Sequence, residues 1–168
     1  HGGDMRYFGF AHTLFSYVSP DEYFDTHPEY FSMVDGKRIR ERTQLCLTNP
    51  EVKEIVKRNL RKTILEHPEC TIFSVSQMDW YNPCQCPECA RVDAEEGSHA
   101  GTLIRFVNAL ARDIAGDYPH KSIYMLQHLF NNWFVKLDIQ KMSAASVMMA
   151  LTVALIMIGV HISNEKKT

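Results

Sequence analysis

One short stretch gathers most of the reactive side chains of this sequence: Ser74-Val75-Ser76-Gln77-Met78-Asp79-Trp80-Tyr81-Asn82-Pro83-Cys84-Gln85-Cys86-Pro87-Glu88-Cys89. A carboxylate can serve as acid, base or nucleophile at a glycosidic bond. Aromatic rings beside it can stack on the apolar faces of sugars. Asp79 is therefore read as a catalytic candidate, and Trp80 as a sugar contact. The competing reading is that Asp79 caps its loop through backbone N–H groups. Glycosidases generally use two carboxylates. The nearest others are Glu95 and Glu96, in Asp93-Ala94-Glu95-Glu96-Gly97-Ser98. These fit a solvated helix end equally well, although acids there oppose the helix dipole. Substrate-assisted hydrolysis, with the sugar's own acetamido group as nucleophile, would also suit the stretch. His12 and His128 each follow an expected strand. Each is a candidate for binding sugar hydroxyls, or a histidine satisfied within the fold.

The cysteines point to a second chemistry. Cys84-x-Cys86-x-x-Cys89 has a spacing suited to metal ligation, and structural zinc takes four ligands. Cys46 is the expected fourth, with His12 as the alternative. The paired Cys-x-x-Cys knuckles of a zinc ribbon are absent, so a loop disulfide with free buried thiols remains the other reading. Cys70 is expected to be buried without a role. No histidine is placed to activate a cysteine nucleophile. No cofactor is required for the proposed hydrolysis; the expected metal is a structural zinc.

Placing these residues requires alternating strands and helices. Tyr7-Phe8-Gly9-Phe10 reads as a strand. Ser19-Pro20-Asp21-Glu22 is a helix start, with serine as cap and proline in the first turn. Asp35-Gly36 supplies the turn of a hairpin. Gln44-Leu45-Cys46-Leu47 reads as an apolar strand. Asn49-Pro50 then opens a helix whose Val52, Ile55, Val56, Leu60 and Ile64 recur at helical spacing. Strands are expected from Thr71 to Val75 and from Ser122 to Leu126. Between them lie a helix opened by Pro87 and stopped by Gly97, and a second marked by Leu103, Val107, Leu110 and Ile114. This order predicts an α/β fold with a parallel sheet. It amounts to about half of a (β/α)8 barrel, which needs around 250 residues; a small open sheet is the alternative.

With 168 residues, a net charge of −2 and ordinary apolar and charged content, the chain suits one globular domain. Nothing in the charge balance points to nucleic acid. The runs Lys37 to Arg42 and Lys53 to Lys62 read as solvated faces. Residues 1–135 form the expected domain, and 136–168 an atypical apolar C-terminal helix or tail. From Ala144 to Ile162 the chain is almost wholly apolar, close to the length of a membrane span. Three readings stand: a transmembrane helix, a buried or membrane-surface helix, or sequence from a slipped reading frame. His1-Gly2-Gly3 carries neither an initiator methionine nor a signal peptide, so a piece of a longer protein is expected.

Several motifs occur together: His27-Pro28-Glu29-Tyr30-Phe31, Asp35-Gly36-Lys37-Arg38, Gln44 to Val52, Ser74 to Trp80 with the cysteine loop, and Phe106-Val107-Asn108. In these the chain resembles a bacterial domain-of-unknown-function family, number 4838, found in large secreted carbohydrate-active proteins. That family is similar to α-glucuronidases and includes endo-β-N-acetylglucosaminidases. The resemblance covers about residues 12–126. It implies a partial (β/α)8, TIM-barrel-like glycosidase domain, a glycan or polysaccharide partner, and an extracellular, periplasmic or cell-surface parent protein. His12, Gln77, Asp79 and Trp80 match motif positions at strand ends, where substrate would lie. The pattern continues into further strands that this chain replaces with its apolar tail. A fragment of a glycoside hydrolase is the resulting expectation, with a non-catalytic carbohydrate-binding or zinc-stabilised structural domain as the alternative.

Overall fold

The computed structural model describes residues 5–125. His128, the apolar tail and the end of the last expected strand lie outside the described residues. In chain order the elements are β1 (Tyr7–Phe8), α1 (Leu14–Tyr17), α2 (Pro20–Tyr23), a 3-10 turn (Pro28–Tyr30), β2 (Met33–Val34), β3 (Lys37–Arg38), α3 (Pro50–Glu66), β4 (Ile72–Ser74), α4 (Pro87–Glu96), α5 (His99–Asp117) and β5 (Ser122–Tyr124).

The expected alternation yields a three-stranded parallel sheet in the order β1-β4-β5. Tyr7 pairs with Ile72, and Ile72 in turn with Ser122. The strand bearing the Asp79 loop is thus the central one, and both its edges are satisfied. The strands are shorter than the apolar runs around them. Gly9 takes φ +66° directly after β1, which turns the chain out of the sheet one residue later. Among the described residues the sheet does not close into a barrel.

One expected strand is corrected. Gln44 to Leu47 does not join the parallel sheet; Leu45 forms a single antiparallel bridge with Phe31. The Ser32 amide donates to the Gln44 carbonyl at 2.9 Å, and the Cys46 amide to the Tyr30 carbonyl at 2.8 Å. The 3-10 turn satisfies this backbone before a sheet edge can. The Asp35-Gly36 hairpin forms as expected, with Met33 opposite Arg38 and both turn residues at positive φ, +49° and +76°. Asp35 tolerates the left-handed region and Gly36 has no Cβ to oppose it.

Helix starts follow the sequence signals. Ser19, Asn49 and Ser98 each accept from a first-turn amide. Helix α4 stops at Gly97, in the left-handed conformation at φ +68°, the residue type that terminates helices most readily. The apolar stripe of α3 and its counterpart on α5 (Leu103, Phe106, Val107, Leu110 and Ile114) are buried in one core with Phe73 and Val75 of the central strand. Each such aliphatic or aromatic side chain stabilises the fold by about 1.5–3 kcal/mol relative to exposure. The outer faces of α3 and α5 are joined by Lys57–Asp113 and Arg61–Asp117 ion pairs. Among the described residues no helix is long and apolar enough to cross a membrane.

Candidate metal centre and strand-end loop

The exits of β1 and β4 are stitched together by polar side chains. Ser74, the last residue of β4, receives hydrogen bonds at its carbonyl from the hydroxyls of Thr13 (2.9 Å) and Tyr17 (3.0 Å). Its own hydroxyl donates to the Phe10 carbonyl at 3.0 Å. The amides of Thr13 and Leu14 both donate to the Ser76 carbonyl, and the Ser76 amide donates to the Thr13 hydroxyl at 2.9 Å. His12 Nδ1 lies 3.2 Å from the Gln77 carbonyl. The structure therefore brings His12 and Gln77 together, as their placement after neighbouring strands requires. His12 holds φ +56°, a conformation uncommon for a residue with a Cβ. Burial pushes the Tyr17 phenol up to about 12.

Beyond Gln77 the loop is held by Gln44, whose sequence context indicates a strand and a family motif but no contact with this loop. The buried Gln44 amide donates to the carbonyls of Met78 (2.7 Å) and Trp80 (2.6 Å), and its oxygen accepts from the Met78 amide (3.0 Å). Three bonds from one side chain thus span the residue between them, Asp79. Asp79 is exposed. Trp80 and Tyr81 are 44% and 46% exposed, and the Arg42 guanidinium lies 5.7 Å from the Trp80 ring centre. An acid and two accessible rings therefore stand beyond the C-terminal end of the central strand, the edge where open α/β sheets bind ligands. Gln44 carries no local signal for this role, because its partners are backbone atoms over thirty residues away.

The four cysteines converge. Their sulfurs, from Cys46, Cys84, Cys86 and Cys89, all lie within 4.8 Å of one another, and all four residues are buried. Cys46 Sγ is 3.6 Å from Cys86 Sγ and 3.9 Å from Cys89 Sγ, far beyond the ~2.05 Å of a disulfide bond. All five cysteines, including the buried Cys70, are free. The arrangement could hold a metal ion. Cys46 reaches it from the bridge segment, Cys84 and Cys86 from the loop, and Cys89 from the first turns of α4. Other polar groups surround the sulfurs: the Met33 amide 3.4 Å from Cys84, the Arg38 guanidinium 3.6 Å from the same sulfur, and the Thr48 hydroxyl 3.1 Å from Cys89. Hydrogen bonds from Cys84 and Cys89 pull the Cys46 thiol far below the ordinary thiol range. Donation to Cys46 pushes Cys84 up to about 11 and raises Cys89 as well.

Glu95 and Glu96 stand elsewhere. They close the far end of α4, a helix whose ten residues span about 15 Å. Glu95 is paired with Arg91 and Arg105, and Glu96 with Arg105. Another group, His27, Glu29 and Glu51, also brings its ligand atoms within 4.8 Å. Its members are not fully buried. His27 pairs with Glu29, and Glu51 accepts from the Tyr30 hydroxyl. Glu51 also lines an open cavity of about 650 Å³ with Tyr23, Tyr30, Glu54 and Arg58.

No curated protein and no solved structure matches the chain. A family model does match it, over residues 1–145. By that match, which takes in the sheet, the acidic loop and all four clustered cysteines, the chain belongs to the family described as a domain of unknown function, DUF4838.

Proposed function

We propose that this chain is a segment of a carbohydrate-active glycoside hydrolase of the (β/α)8 type, from an exported protein, in which Asp79 works as an acid/base carboxylate on a glycan or polysaccharide. Trp80 stacks against a sugar ring, and His12 and Gln77 line the same edge. A structural zinc held by Cys46, Cys84, Cys86 and Cys89 fixes the loop from behind.

The reading rests on one observation: Asp79 is exposed, beside two accessible aromatic rings, past the C-terminal end of a central parallel strand. The substrate class is the one implied by the motif resemblance, which points toward α-glucuronidases and endo-β-N-acetylglucosaminidases. The zinc is supported by geometry. Zinc–sulfur bonds of about 2.3 Å give a tetrahedron with sulfur–sulfur edges of about 3.8 Å, and two edges of the cage measure 3.6 and 3.9 Å.

The ion pairs that occupy Glu95 and Glu96 favour a second reading, a carbohydrate-binding domain without turnover. One comparison separates the two. The 168-residue chain and its Asp79→Asn variant are assayed on chromogenic β-N-acetylglucosaminides and glucuronides, with affinity measured calorimetrically on the matching oligosaccharides. The hydrolase predicts a fall of about 100-fold or more in kcat with affinity retained. Equal binding by both, with no turnover by either, selects the binding domain; neither binding nor turnover removes the carbohydrate reading.

A further inference from the structure

We propose that Arg38 is the outer cation of the four-cysteine centre, its guanidinium fixed against the Cys84 sulfur to offset the charge of a buried tetrathiolate. This rests on the cage being a metal site. A divalent ion with four thiolates carries two net negative charges. The four cysteines that would hold them are only 2–6% exposed. Net charge buried without compensation is costly.

The amide of Met33 and the hydroxyl of Thr48 contribute dipoles; Arg38 contributes a full charge. Its placement follows from the hairpin. Met33 and Arg38 are cross-strand partners, and both reach the same sulfur, at 3.4 and 3.6 Å. The guanidinium is anchored a second time, by donating to the Phe31 carbonyl at 2.5 Å. The loop answers in kind: the Gln85 amide donates to the Met33 carbonyl at 2.7 Å, and the Asp35 amide to Gln85 Oε1 at 3.0 Å. The hairpin, which contributes no ligand, is therefore docked on the cage with its positive charge inward. Hydrogen bonds from such outer groups orient metal ligands and tune their donor strength. A hydrogen bond from a guanidinium also lowers the basicity of a thiolate, and the intrinsic nucleophilicity of the sulfur falls with it. Arg38 is thus a positioning residue: it keeps the ion bound and Cys84 unreactive.

The test uses the full chain. Zinc affinity is measured by competition with a chromogenic chelator. Arg38→Gln is expected to weaken it by about 10–100-fold, and Arg38→Lys, which restores the charge without the fork, to recover part of the loss. In cobalt-substituted protein the thiolate-to-metal charge-transfer band is expected at lower energy in Arg38→Gln than in wild type, a change that loss of packing alone would not produce. Where the variant does not fold, cadmium-113 wild-type protein decides. Scalar couplings from cadmium to the Met33 amide proton and to an Arg38 guanidinium proton are expected; coupling to Met33 alone overturns the role of Arg38. An unchanged affinity and band in folded Arg38→Gln overturns it too, while leaving the metal site standing. A wild-type chain that binds none of zinc, cobalt or cadmium removes the metal reading, and this inference with it.

Discussion

The two ends of helix α4 receive similar chemical potential and treat it in opposite ways. At the N-terminal end, Cys86 caps the helix and Cys89 follows in its first turns, both 6% exposed or less and within reach of two further sulfurs from distant segments. At the C-terminal end, Glu95 and Glu96 have side chains 44% and 37% exposed and are matched to arginines on their own helical pair. Residue type gave both ends a claim to function. Burial and the origin of the partners separate them: the thiols are assembled by the fold, whereas the carboxylates find partners on α4 and the adjoining α5.

Removing one sulfur should produce the largest effect. With the proposed zinc site, wild type should carry one equivalent of zinc per chain by elemental analysis, and Cys89→Ser only a small fraction of it. The loss of stability is expected to be on the order of 5 kcal/mol, part of the roughly 10–16 kcal/mol that zinc supplies in zinc-finger peptides, since an apolar core stands here without it. An unchanged melting curve would erase the distinction between the two ends.

Gln44 sharpens the comparison from the other side of the cage, two positions before Cys46. Gln44→Leu leaves the Met78 amide and two carbonyls without their partner. An orphaned buried group costs about 1–3 kcal/mol, and water can reach part of this half-exposed loop. A loss of about 2–4 kcal/mol by chemical denaturation is expected, with zinc retained. Faster exchange of the Met78 amide would locate the damage in the Asp79 loop.

How far these relations could be read in advance depended on their range. Helix starts at Ser19, Asn49 and Ser98, the Asp35-Gly36 turn and the Gly97 stop are local, so residue type alone indicated them. The parallel order followed from alternation. The cysteine cluster was legible as one of two readings, because the spacing of Cys84, Cys86 and Cys89 suits metal ligation; Cys46 and His12 were the candidates for a fourth ligand, and the fold brings Cys46. It arrives there on a bridge to Phe31 rather than in the sheet, since nothing local distinguishes an apolar run that joins a sheet from one captured by a 3-10 turn. The roles of Gln44 and Arg38 were hidden for a related reason, although both residues lie in the motifs that carry the family resemblance. A glutamine bound to backbone, or an arginine on a hairpin of basic residues, looks like any solvated polar side chain until the tertiary fold supplies its partner.

The strand exit that carries the loop has its own signature in pH. Tyr17 donates to the Ser74 carbonyl, and burial raises its phenol from 10.0 to about 12. The folded chain keeps a proton that the unfolded chain releases near pH 10. That contribution is complete below pH 10 and is lost as pH rises toward 12. Denaturation of zinc-loaded wild type and Tyr17→Phe should diverge in steepness across this window, by about 2 kcal/mol in total. A shallower fall should persist in the variant, because the hydrogen bond to Glu51 also holds the Tyr30 phenol up to about 12.

The smallest effect is expected at the exposed end of α4. Glu95→Gln and Glu96→Gln each remove a solvent-screened ion pair, which contributes little to stability. They also remove an acid from a last helical turn, where the dipole disfavours it. These effects oppose each other and both weaken with salt, so the melting temperature should not change measurably. Zinc content and any Asp79-dependent turnover should be unchanged as well. If instead turnover fell by tenfold or more while zinc and melting temperature held, one of these carboxylates would belong to the cleft. The arginine pairing would then be a resting arrangement that substrate displaces, and the contrast between the two ends of the helix would be one of occupancy rather than of kind.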